Sequence, residues 1–318
     1  MNDILVVLTG PTAVGKTALC MEIARKYGLS IINADSRQMY QGMTIGTAAP
    51  SAEQMRQVEH FFVGTLPLQS YYNAAMFERD ALRIIAGQFE RQAEKNGGKQ
   101  PSDGDSPAAD GKRLALMSGG SMMYIDAVCK GIDDIPTITE ETRSAVKARL
   151  EREGLGKLCE ELRRLDPDYY ETVDRKNTRR VVHALEICLQ TGSTYTSFRK
   201  RKRKERPFRV ATIVLDRPRE ELYGRINARV DSMMEQGLLD EAKRLYPYRQ
   251  LNALNTVGYK EMFAYLDGLY PLDEAVERIK GNTRRYARKQ LTWFKRYEDA
   301  KWFNPNDTNE IMNYITRL

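Results

Sequence analysis

A phosphate loop near the amino end of this chain of 318 residues constrains its fold more than any other feature. The pattern G-x-x-x-x-G-K-[ST] is matched by Gly10-Pro11-Thr12-Ala13-Val14-Gly15-Lys16-Thr17. The apolar run at 4–8 predicts a buried strand before the loop, and apolar spacing predicts a helix over 17–27 after it. In this context backbone N–H groups point at an anion, Lys16 neutralises the outer phosphate, and the Thr17 hydroxyl suits Mg²⁺. The sequence therefore predicts an α/β domain that binds a phosphate group.

The order of the elements predicts the class of the fold. A strand at 29–33 follows the first helix, and strand–helix–strand order is typical of a parallel sheet. Further apolar strands are predicted at 114–118 and 210–215, and helices over 137–200 and from 220 onward. We expect an α/β fold with a P-loop NTPase-like parallel sheet core, a helical insertion domain and a helical C-terminal part. The predicted bounds are 1–129 for the first part of the core, 130–205 for the insertion, and 206–318 for the return to the core and the C-terminal helices.

A polar segment follows a long amphipathic helix predicted at 73–94. From Asn96 to Lys112 the chain is rich in Gly, Pro, Ser and Asp, and it contains no large apolar residue. Such a segment buries too little apolar surface to offset its ordering entropy, so we expect a disordered surface loop.

The net charge of +7 is concentrated in two segments. From Arg175 to Arg209, twelve lysines and arginines stand against two acids, a net charge of +10 that leaves −3 for the rest of the chain. From Arg278 to Arg296 there are eight basic residues and no acid. Two basic segments on an otherwise slightly acidic chain favour a nucleic-acid partner. Solvated helix faces are the alternative explanation, and it is stronger for the second segment.

The cysteines and the apolar runs indicate the compartment. The chain has four cysteines, Cys20, Cys129, Cys159 and Cys188. None of them forms a C-x-x-C pair, so we expect buried free thiols and neither a zinc site nor a disulfide scaffold. No apolar run has the roughly 18–20 residues that span a membrane, and the first residues lack the pattern of a signal peptide. We therefore expect a cytoplasmic protein without a membrane segment.

An acidic residue, Asp35, follows the second predicted strand. A nucleotide hydrolase usually has an acid after a later strand to hold the magnesium shell, but here strand 114–118 runs into Ser-Gly-Gly. Asp35 faces the phosphate loop across adjacent strand ends, so it can contact the metal or accept a proton from a nucleophile. The alternative is a structural role as the N-cap of the next element.

Taken together, these pieces resemble the tRNA dimethylallyltransferase family over nearly the whole chain. The matching stretches are Gly10–Thr17, Asp35–Tyr40 with Gly42–Ala48, Tyr72–Asp80, Gly119–Ser121 with Tyr124, Arg179-Arg180 with Ala184–Glu186, Gly258-Tyr259, and Lys289–Phe294. The run D-S-x-Q-x-Y-x-G-M-x-I-G-T is far more specific than the phosphate loop alone. The resemblance implies transfer of a dimethylallyl group to N6 of the adenine next to the anticodon, position 37 of tRNA.

The resemblance also implies roles for residues of the phosphate loop and of the acceptor pocket. The segment from Thr12 to Thr17 would hold the diphosphate of dimethylallyl diphosphate rather than ATP, with Mg²⁺ as cofactor. Asp35 would be the general base on the adenine amine. The residues implied to line the base pocket are Ser36, Arg37 and Gln38. The hydroxyl of Ser121, where the family has Thr, would lie near the departing oxygen.

An arginine that stabilises the departing diphosphate is implied as well. Arg225 and Arg229 lie one turn apart on a predicted helix, so both can face one ligand. We expect Arg225 to be this residue, although the sequence does not decide between the two. Together with Lys16, the arginine would stabilise negative charge that grows in the transition state.

Recognition of tRNA is expected from the helical insertion. The implied contacts are Arg143, Arg179, Arg180 and His183. Many relatives have Arg where this chain has His183. Two roles therefore remain for His183, a contact to a tRNA phosphate and a packing role within the helical insertion. The basic run from Arg199 through Lys204 adds to the same surface, whereas Trp293 and Phe294 are expected in the core. We expect the enzyme to act as a monomer.

Three rival functions are compatible with parts of the sequence. A small-molecule kinase explains the phosphate loop but leaves the Asp35 run and the basic insertion unexplained. A prenyltransferase acting on free adenylate needs the same core without the insertion. A non-catalytic RNA-binding protein would not need the intact Lys16, Thr17 and Asp35.

Overall fold

The structure is a computed structural model that describes residues 2–96, 111–200 and 203–318. The centre of the predicted polar loop, 97–110, and two residues of the basic run, 201 and 202, lie outside the described residues. Contacts divide the chain into two compact units. The first comprises Met1–Lys130 with Arg206–Leu318, and the second comprises Gly131–Glu205.

A parallel sheet forms the centre of the first unit, as the sequence predicts. Its strands are β1 (Asp3–Thr9), β2 (Ile31–Asn33), β3 (His60–Phe61), β4 (Arg113–Gly119), β5 (Arg209–Leu215) and β6 (Lys301–Phe303). They lie in the order β3-β2-β4-β1-β5-β6, and every neighbouring pair is parallel. The short edge strands β3 and β6 were not predicted, because two or three residues carry no readable alternation.

Helices cover the sheet and form the second unit. Those of the first unit are α1 (Lys16–Tyr27), α2 (Ala52–Gln57), α3 (Ala74–Asn96), α4 (Met122–Lys130), α9 (Arg219–Glu235), α10 (Leu238–Leu245), α11 (Tyr259–Leu266), α12 (Leu272–Phe294) and α13 (Thr308–Thr316). Those of the second unit are α5 (Glu140–Leu165), α6 (Pro167–Thr172), α7 (Thr178–Thr191) and α8 (Tyr195–Phe198). None of the helices within the described ranges combines the length and apolar composition needed to cross a membrane.

The central strand β1 is buried on both faces because its residues are apolar on both sides. Leu5 and Val7 pack into a cluster with α3, α4, α11 and α12. Ile4, Val6 and Leu8 pack into a second cluster with α1, α9 and α13. This near-continuous apolar run is typical of a strand covered by helices on both faces. The loop that follows β1 is therefore held at the centre of the sheet edge.

The second unit is helical and has a core of its own. Val146 and Leu158 of α5 pack against Leu185 of α7. The buried Asp166 begins α6 by accepting the Tyr169 N–H, and it also accepts the Thr196 N–H at 2.7 Å. Burial of all four cysteine thiols was predicted, but Cys159 of this unit is only half-buried, since it lies near the surface of α5 beside the backbone of Arg175. The other three are buried.

A buried carboxylate, Glu241 of α10, holds the loop that follows β2. It accepts backbone N–H groups from Thr44 at 3.1 Å, Ile45 at 2.9 Å and Gly46 at 2.8 Å. The Tyr259 hydroxyl donates to the same carboxylate at 2.7 Å. Gly46 lies so close to the Tyr259 ring that a Cβ would approach a ring carbon to 2.6 Å. The loop thus depends on one carboxylate and one glycine.

Replacement of this carboxylate is expected to destabilise the protein. Glu241→Ala leaves three backbone donors without an acceptor, so we expect the free energy of unfolding to fall by about 3 kcal/mol. Tyr259→Phe removes one hydroxyl and should cost only about 1 kcal/mol. Urea unfolding measures both, with Asp240→Ala on the exposed side of α10 as the control. A loss no larger for Glu241→Ala than for this control would contradict the assignment.

Candidate active site

A cleft of about 660 Å³ opens where the loops after β1, β2 and β4 meet. Because parallel strands end at one edge of the sheet, three loops distant in sequence converge there. The phosphate loop and the start of α1 line it, together with residues of α9 and α12. The cleft residues that enter the argument below are Thr12, Ala13, Lys16, Thr17, Asp35, Gln38, Gly120, Arg225, Arg229, Tyr286 and Gln290.

The phosphate loop has the conformation that an anion site requires. Gly10 has φ 149°, and a Cβ there would come within 2.6 Å of the Leu215 carbonyl oxygen. The Val14 N–H bonds back to the Pro11 carbonyl, which closes a turn inside the loop. Among the described residues, no acceptor takes the N–H groups of Ala13, Gly15 or Lys16. These donors and the start of α1 are therefore available to an anion.

Three arginines fasten successive groups of the loop. Arg229 donates to the Thr12 hydroxyl at 3.3 Å, and Arg225 donates through Nε to the Ala13 carbonyl at 2.9 Å. Arg217 donates through Nε to the Val14 carbonyl at 2.8 Å. Arg225 is exposed and Arg229 is half-buried, so the structure places Arg229 deeper in the cleft than the arginine that was expected from the sequence.

The cleft holds two cations, Lys16 and Arg229, that repel each other. The Lys16 ammonium donates to the carbonyls of Gly10 at 2.9 Å and Pro11 at 2.8 Å. Burial and then the charge of Arg229 lower the pKa of Lys16 to about 7, while Asp35 opposes that shift. Burial also lowers the pKa of Arg229. A bound anion would favour the charged form of both groups.

Asp35 has one engaged oxygen and one open oxygen. Its Oδ1 accepts the backbone N–H of Arg37 at 2.9 Å and that of Gln38 at 3.3 Å. Its other oxygen accepts no hydrogen bond from the residues that the structure describes. Asp35 thus closes a local turn and does not cap a helix, since the next helix begins at Ala52, and its second oxygen is open to a proton donor.

Ser121 faces the turn after β2. Its hydroxyl accepts the Ser36 N–H at 2.8 Å and lies 3.1 Å from the Ser36 hydroxyl. Its own N–H donates to the Ala34 carbonyl at 3.1 Å. A Cβ on Gly119 would overlap that carbonyl, so glycine is required for this close approach. Ser121 and Asp35 are thereby brought to neighbouring positions.

The side chains of Arg37 and Gln38 contact different parts of the molecule. The Gln38 amide donates to the carbonyls of Thr47 and Ala48, both at 3.0 Å, and it lines the cleft. The Arg37 guanidinium instead donates to the carbonyls of Asn252 at 2.7 Å and Ala253 at 3.1 Å. Arg37 was expected to line the base pocket, but these bonds tie it to the loop before α11.

The residues expected to contact tRNA from the insertion lie in the second unit. Arg179 and Arg180 are exposed in the first turn of α7, and Arg143 lies on α5. The His183 ring lies edge-on to Tyr195, with centroids 5.6 Å apart. Its side chain is still 47% exposed, so packing does not remove it from solvent.

The donor set suits a magnesium ion that is held mainly by a ligand. Thr17 opens onto the cleft in the first turn of α1, and Asp35 lines the same cleft. The described residues contain no group of three or more His, Cys, Asp or Glu side chains placed to hold a metal. Magnesium commonly takes one or two protein oxygens and completes its shell with phosphate and water. The residues present fit that mode.

Sequence reasoning missed three residues of the site, since their positions depend on the tertiary fold. Arg217, two residues after β5, contacts the phosphate loop, and no local motif marks it. Gln290 lies in the family-like stretch Lys289–Phe294, but that stretch does not indicate its contact with Thr12. Tyr286 lines the cleft one turn before Gln290. Asp35 lines the same cleft, so the Tyr286 ring and this carboxylate share one pocket.

Fold and site together are those of an α/β enzyme with a P-loop NTPase-like core, in which a carboxylate lines the same cleft as the phosphate loop. A sequence model of the family described as IPP transferase matches residues 38–95 and 106–297. The chain therefore belongs to the IPP transferase family.

Curated relatives match nearly the full length of the chain. tRNA dimethylallyltransferase 1 of Phocaeicola vulgatus is 55% identical over 99% of this chain and 98% of its own. tRNA dimethylallyltransferase 1 of Bacteroides thetaiotaomicron is 53% identical over 98% of this chain and 94% of its own.

Solved structures show the same fold. The tRNA isopentenylpyrophosphate transferase of Bacillus halodurans superposes with a TM-score of 0.67 at 34% identity, covering 99% of this chain and 96% of its own. A eukaryotic dimethylallyltransferase acting on tRNA gives a TM-score of 0.76, covering 96% of this chain and 74% of its own. At 23% identity the second likeness shows the fold alone.

Arg225 and Arg229 are expected to differ in their effect on anion binding. Arg229→Met removes a half-buried charge that contacts the loop, so affinity for inorganic diphosphate should fall by roughly 10²-fold. Arg225→Met removes an exposed charge, and the loss should stay within about tenfold. Calorimetric titration compares both with Arg219→Met, an exposed arginine at the start of the same helix. A larger loss for Arg225→Met would reverse the assignment.

Proposed function

We propose that this enzyme transfers a dimethylallyl group from dimethylallyl diphosphate to N6 of adenine 37, next to the anticodon of tRNA. The observation that carries the proposal is the open oxygen of Asp35 in the same cleft as Lys16 and Arg229. A donor diphosphate on the cations would place its allylic carbon toward the carboxylate. Membership of the family supports the same reaction.

The donor side is built for a departing diphosphate. The allylic C–O bond breaks, and its electron pair leaves on the diphosphate oxygen. Lys16, Arg229 and the free N–H groups of the loop stabilise this growing charge, which is the form of catalysis that buried, preorganised donors provide best. Thr17 would hold Mg²⁺ against the diphosphate; when bound, the ion supplies further neutralisation of that charge.

The acceptor side removes one proton. As the adenine N6 forms its bond to the allylic carbon, the open oxygen of Asp35 takes the N6 proton. The two N–H bonds on Oδ1 fix the carboxylate plane, so the other oxygen is oriented before substrate arrives. The Ser121 hydroxyl, which accepts the Ser36 N–H, would donate to the departing oxygen.

A stacked adenine must leave its loop to reach this cleft, and the basic second unit suits an RNA partner. Arg179 and Arg180 lie exposed on one turn of α7, where they are suited to contact phosphates of the anticodon stem-loop. Arg143 and the exposed edge of His183 add to this surface. A tRNA substrate supports action in the cytoplasm.

The experiment is transfer of label from dimethylallyl diphosphate to unmodified tRNA in the presence of Mg²⁺. We expect Asp35→Asn to lower kcat by roughly 10²–10⁴-fold, because the amide keeps the shape of the side chain and cannot accept the proton. KM for either substrate should change little. Asp240→Asn, an exposed aspartate on α10, is the matched control.

Three outcomes of this assay have different meanings. Labelled tRNA with the wild type and the control, but not with Asp35→Asn, supports both the reaction and the base. Labelled tRNA with all three proteins overturns the role of Asp35 and leaves the reaction standing. Labelled free adenylate, or turnover of ATP with a small acceptor, overturns the proposed function.

A further inference from the structure

A buried amide, Gln290 of α12, joins two of the loops that form the cleft. Its Oε1 accepts the Thr12 N–H at 2.9 Å, and its Nε2 donates to the Gly120 carbonyl at 2.9 Å. Only 2% of the residue is exposed. The phosphate loop and the loop before Ser121 are therefore connected through one side chain from a third, distant element.

The chemistry of the two contacts specifies an amide. Thr12 presents a donor and Gly120 presents an acceptor, so the bridging group must accept at one end and donate at the other. A glutamate of the same size has no proton for Gly120 when ionised, and a leucine of similar volume satisfies neither group. Asparagine is one methylene shorter and does not reach both.

Gly120 lies in close contact with the Gln290 amide. A Cβ placed on Gly120 would overlap the Gln290 Nε2 atom, so the loop passes directly against the amide. The distance between the two loops is thus fixed by the length of one planar group and two hydrogen bonds. A buried, fully bonded amide also has few alternative rotamers, since any rotation leaves a buried backbone group unsatisfied.

Each loop that Gln290 holds carries a group of the proposed reaction. The Thr12 hydroxyl receives Arg229, and the Lys16 ammonium lies on the carbonyls of the two residues before Thr12. Gly120 directly precedes Ser121, whose hydroxyl is joined to the turn that carries Asp35. The separation set by Gln290 is therefore the separation between the diphosphate site and the acceptor groups.

We infer that Gln290 is a positioning residue for group transfer: it holds the phosphate loop and the Gly119–Ser121 loop at the spacing that aligns the departing oxygen with Ser121 and Asp35. Gln290 takes no proton and need not touch the reacting atoms. This inference rests on the proposed transfer reaction. Loss of Gln290 should therefore affect alignment more than binding. Binding of the diphosphate needs only the phosphate loop, whereas alignment of the reacting groups needs the Gly119–Ser121 loop as well.

A second amide in the same protein provides a matched control. Gln92 of α3 accepts the Leu114 N–H at 3.0 Å and donates to the Leu114 carbonyl at 2.7 Å. Like Gln290 it accepts from one backbone group and donates to another, but both groups belong to one residue at the start of β4, whereas the cleft lies beyond the other end of that strand. Gln92 is half-buried, and it serves as a control for loss of such an amide away from the cleft, so only Gln290 should affect the reaction.

The test compares Gln290→Leu and Gln92→Leu in steady-state transfer to tRNA, well below the melting temperature of each variant. We expect Gln290→Leu to lower kcat by about 10²-fold, since a misplacement of 1 Å has an effect of that size. Its KM for dimethylallyl diphosphate should stay within about threefold, because the phosphate loop keeps its own cations. Gln92→Leu should leave kcat unchanged within about twofold.

The pH dependence of kcat for Gln290→Glu provides a second readout. It can be measured even if Gln290→Leu folds poorly. An ionised glutamate repels the Gly120 carbonyl, whereas a protonated one restores a donor and an acceptor. The ratio of its kcat to the wild-type kcat should therefore rise as the pH falls from about 8 to about 6.

The outcomes distinguish this inference from the proposed reaction. Equal kcat values for Gln290→Leu and Gln92→Leu, or a pH-independent ratio for Gln290→Glu, overturn the positioning role while the wild type remains an active transferase. A loss confined to KM reassigns Gln290 to donor binding and overturns the inference as stated. A wild type that transfers no label overturns the proposed reaction and the inference with it.

Discussion

Lys16 and Arg229 share one cleft with Asp35 as the main opposing charge, and the surrounding structure maintains this excess of positive charge. Burial lowers the pKa of both cations, and their mutual repulsion adds to the shift on Lys16. Hydrogen bonds from each to the phosphate loop hold them in place despite the repulsion. A ligand with more than one negative charge relieves this repulsion where an uncharged ligand does not. The cleft thus favours a multiply charged anion over an uncharged ligand, which agrees with the diphosphate donor proposed above.

Holding such a loop requires rigid support, and the parallel sheet provides it. β1 lies between β4 and β5, so the loop at its end is flanked by ordered backbone on both sides. Arg217 fastens Val14 from the β5 side, and Gln290 fastens Thr12 from α12. Glu241 performs the equivalent task for the loop after β2 by accepting three N–H groups in succession. The site is therefore preorganised by hydrogen bonds to backbone groups, which depend on position and not on the reacting molecules.

Features formed by residues that are adjacent in sequence could be predicted, whereas contacts between residues that are distant in sequence could not. The phosphate loop is a local motif, so its strand, turn and helix could all be predicted from adjacent residues. The parallel sheet followed from the apolar runs, and the structure confirms it. The depth of Arg229 relative to Arg225 depends on how α9 is rotated against the sheet, which one-turn spacing does not determine. Gln290 pairs with Thr12 across 278 positions, and no pattern within a single segment encodes that contact.

The hydrogen bonds of Asp35 are compatible with the proton-acceptor role proposed for it, although the side chain stabilises a turn and does not cap a helix. A carboxylate has two oxygens, and here one accepts the N–H groups of Arg37 and Gln38 while the other takes no bond from the described residues. The first oxygen fixes the orientation of the second, so the structural role supports the chemical one. A freely rotating carboxylate would lose rotational entropy when it engaged the amine, whereas this one is oriented beforehand. The same logic applies to Ser121, whose hydroxyl is directed by the Ser36 N–H. Residues of this turn therefore act as a set, in which backbone amides orient the side chains that face the substrate.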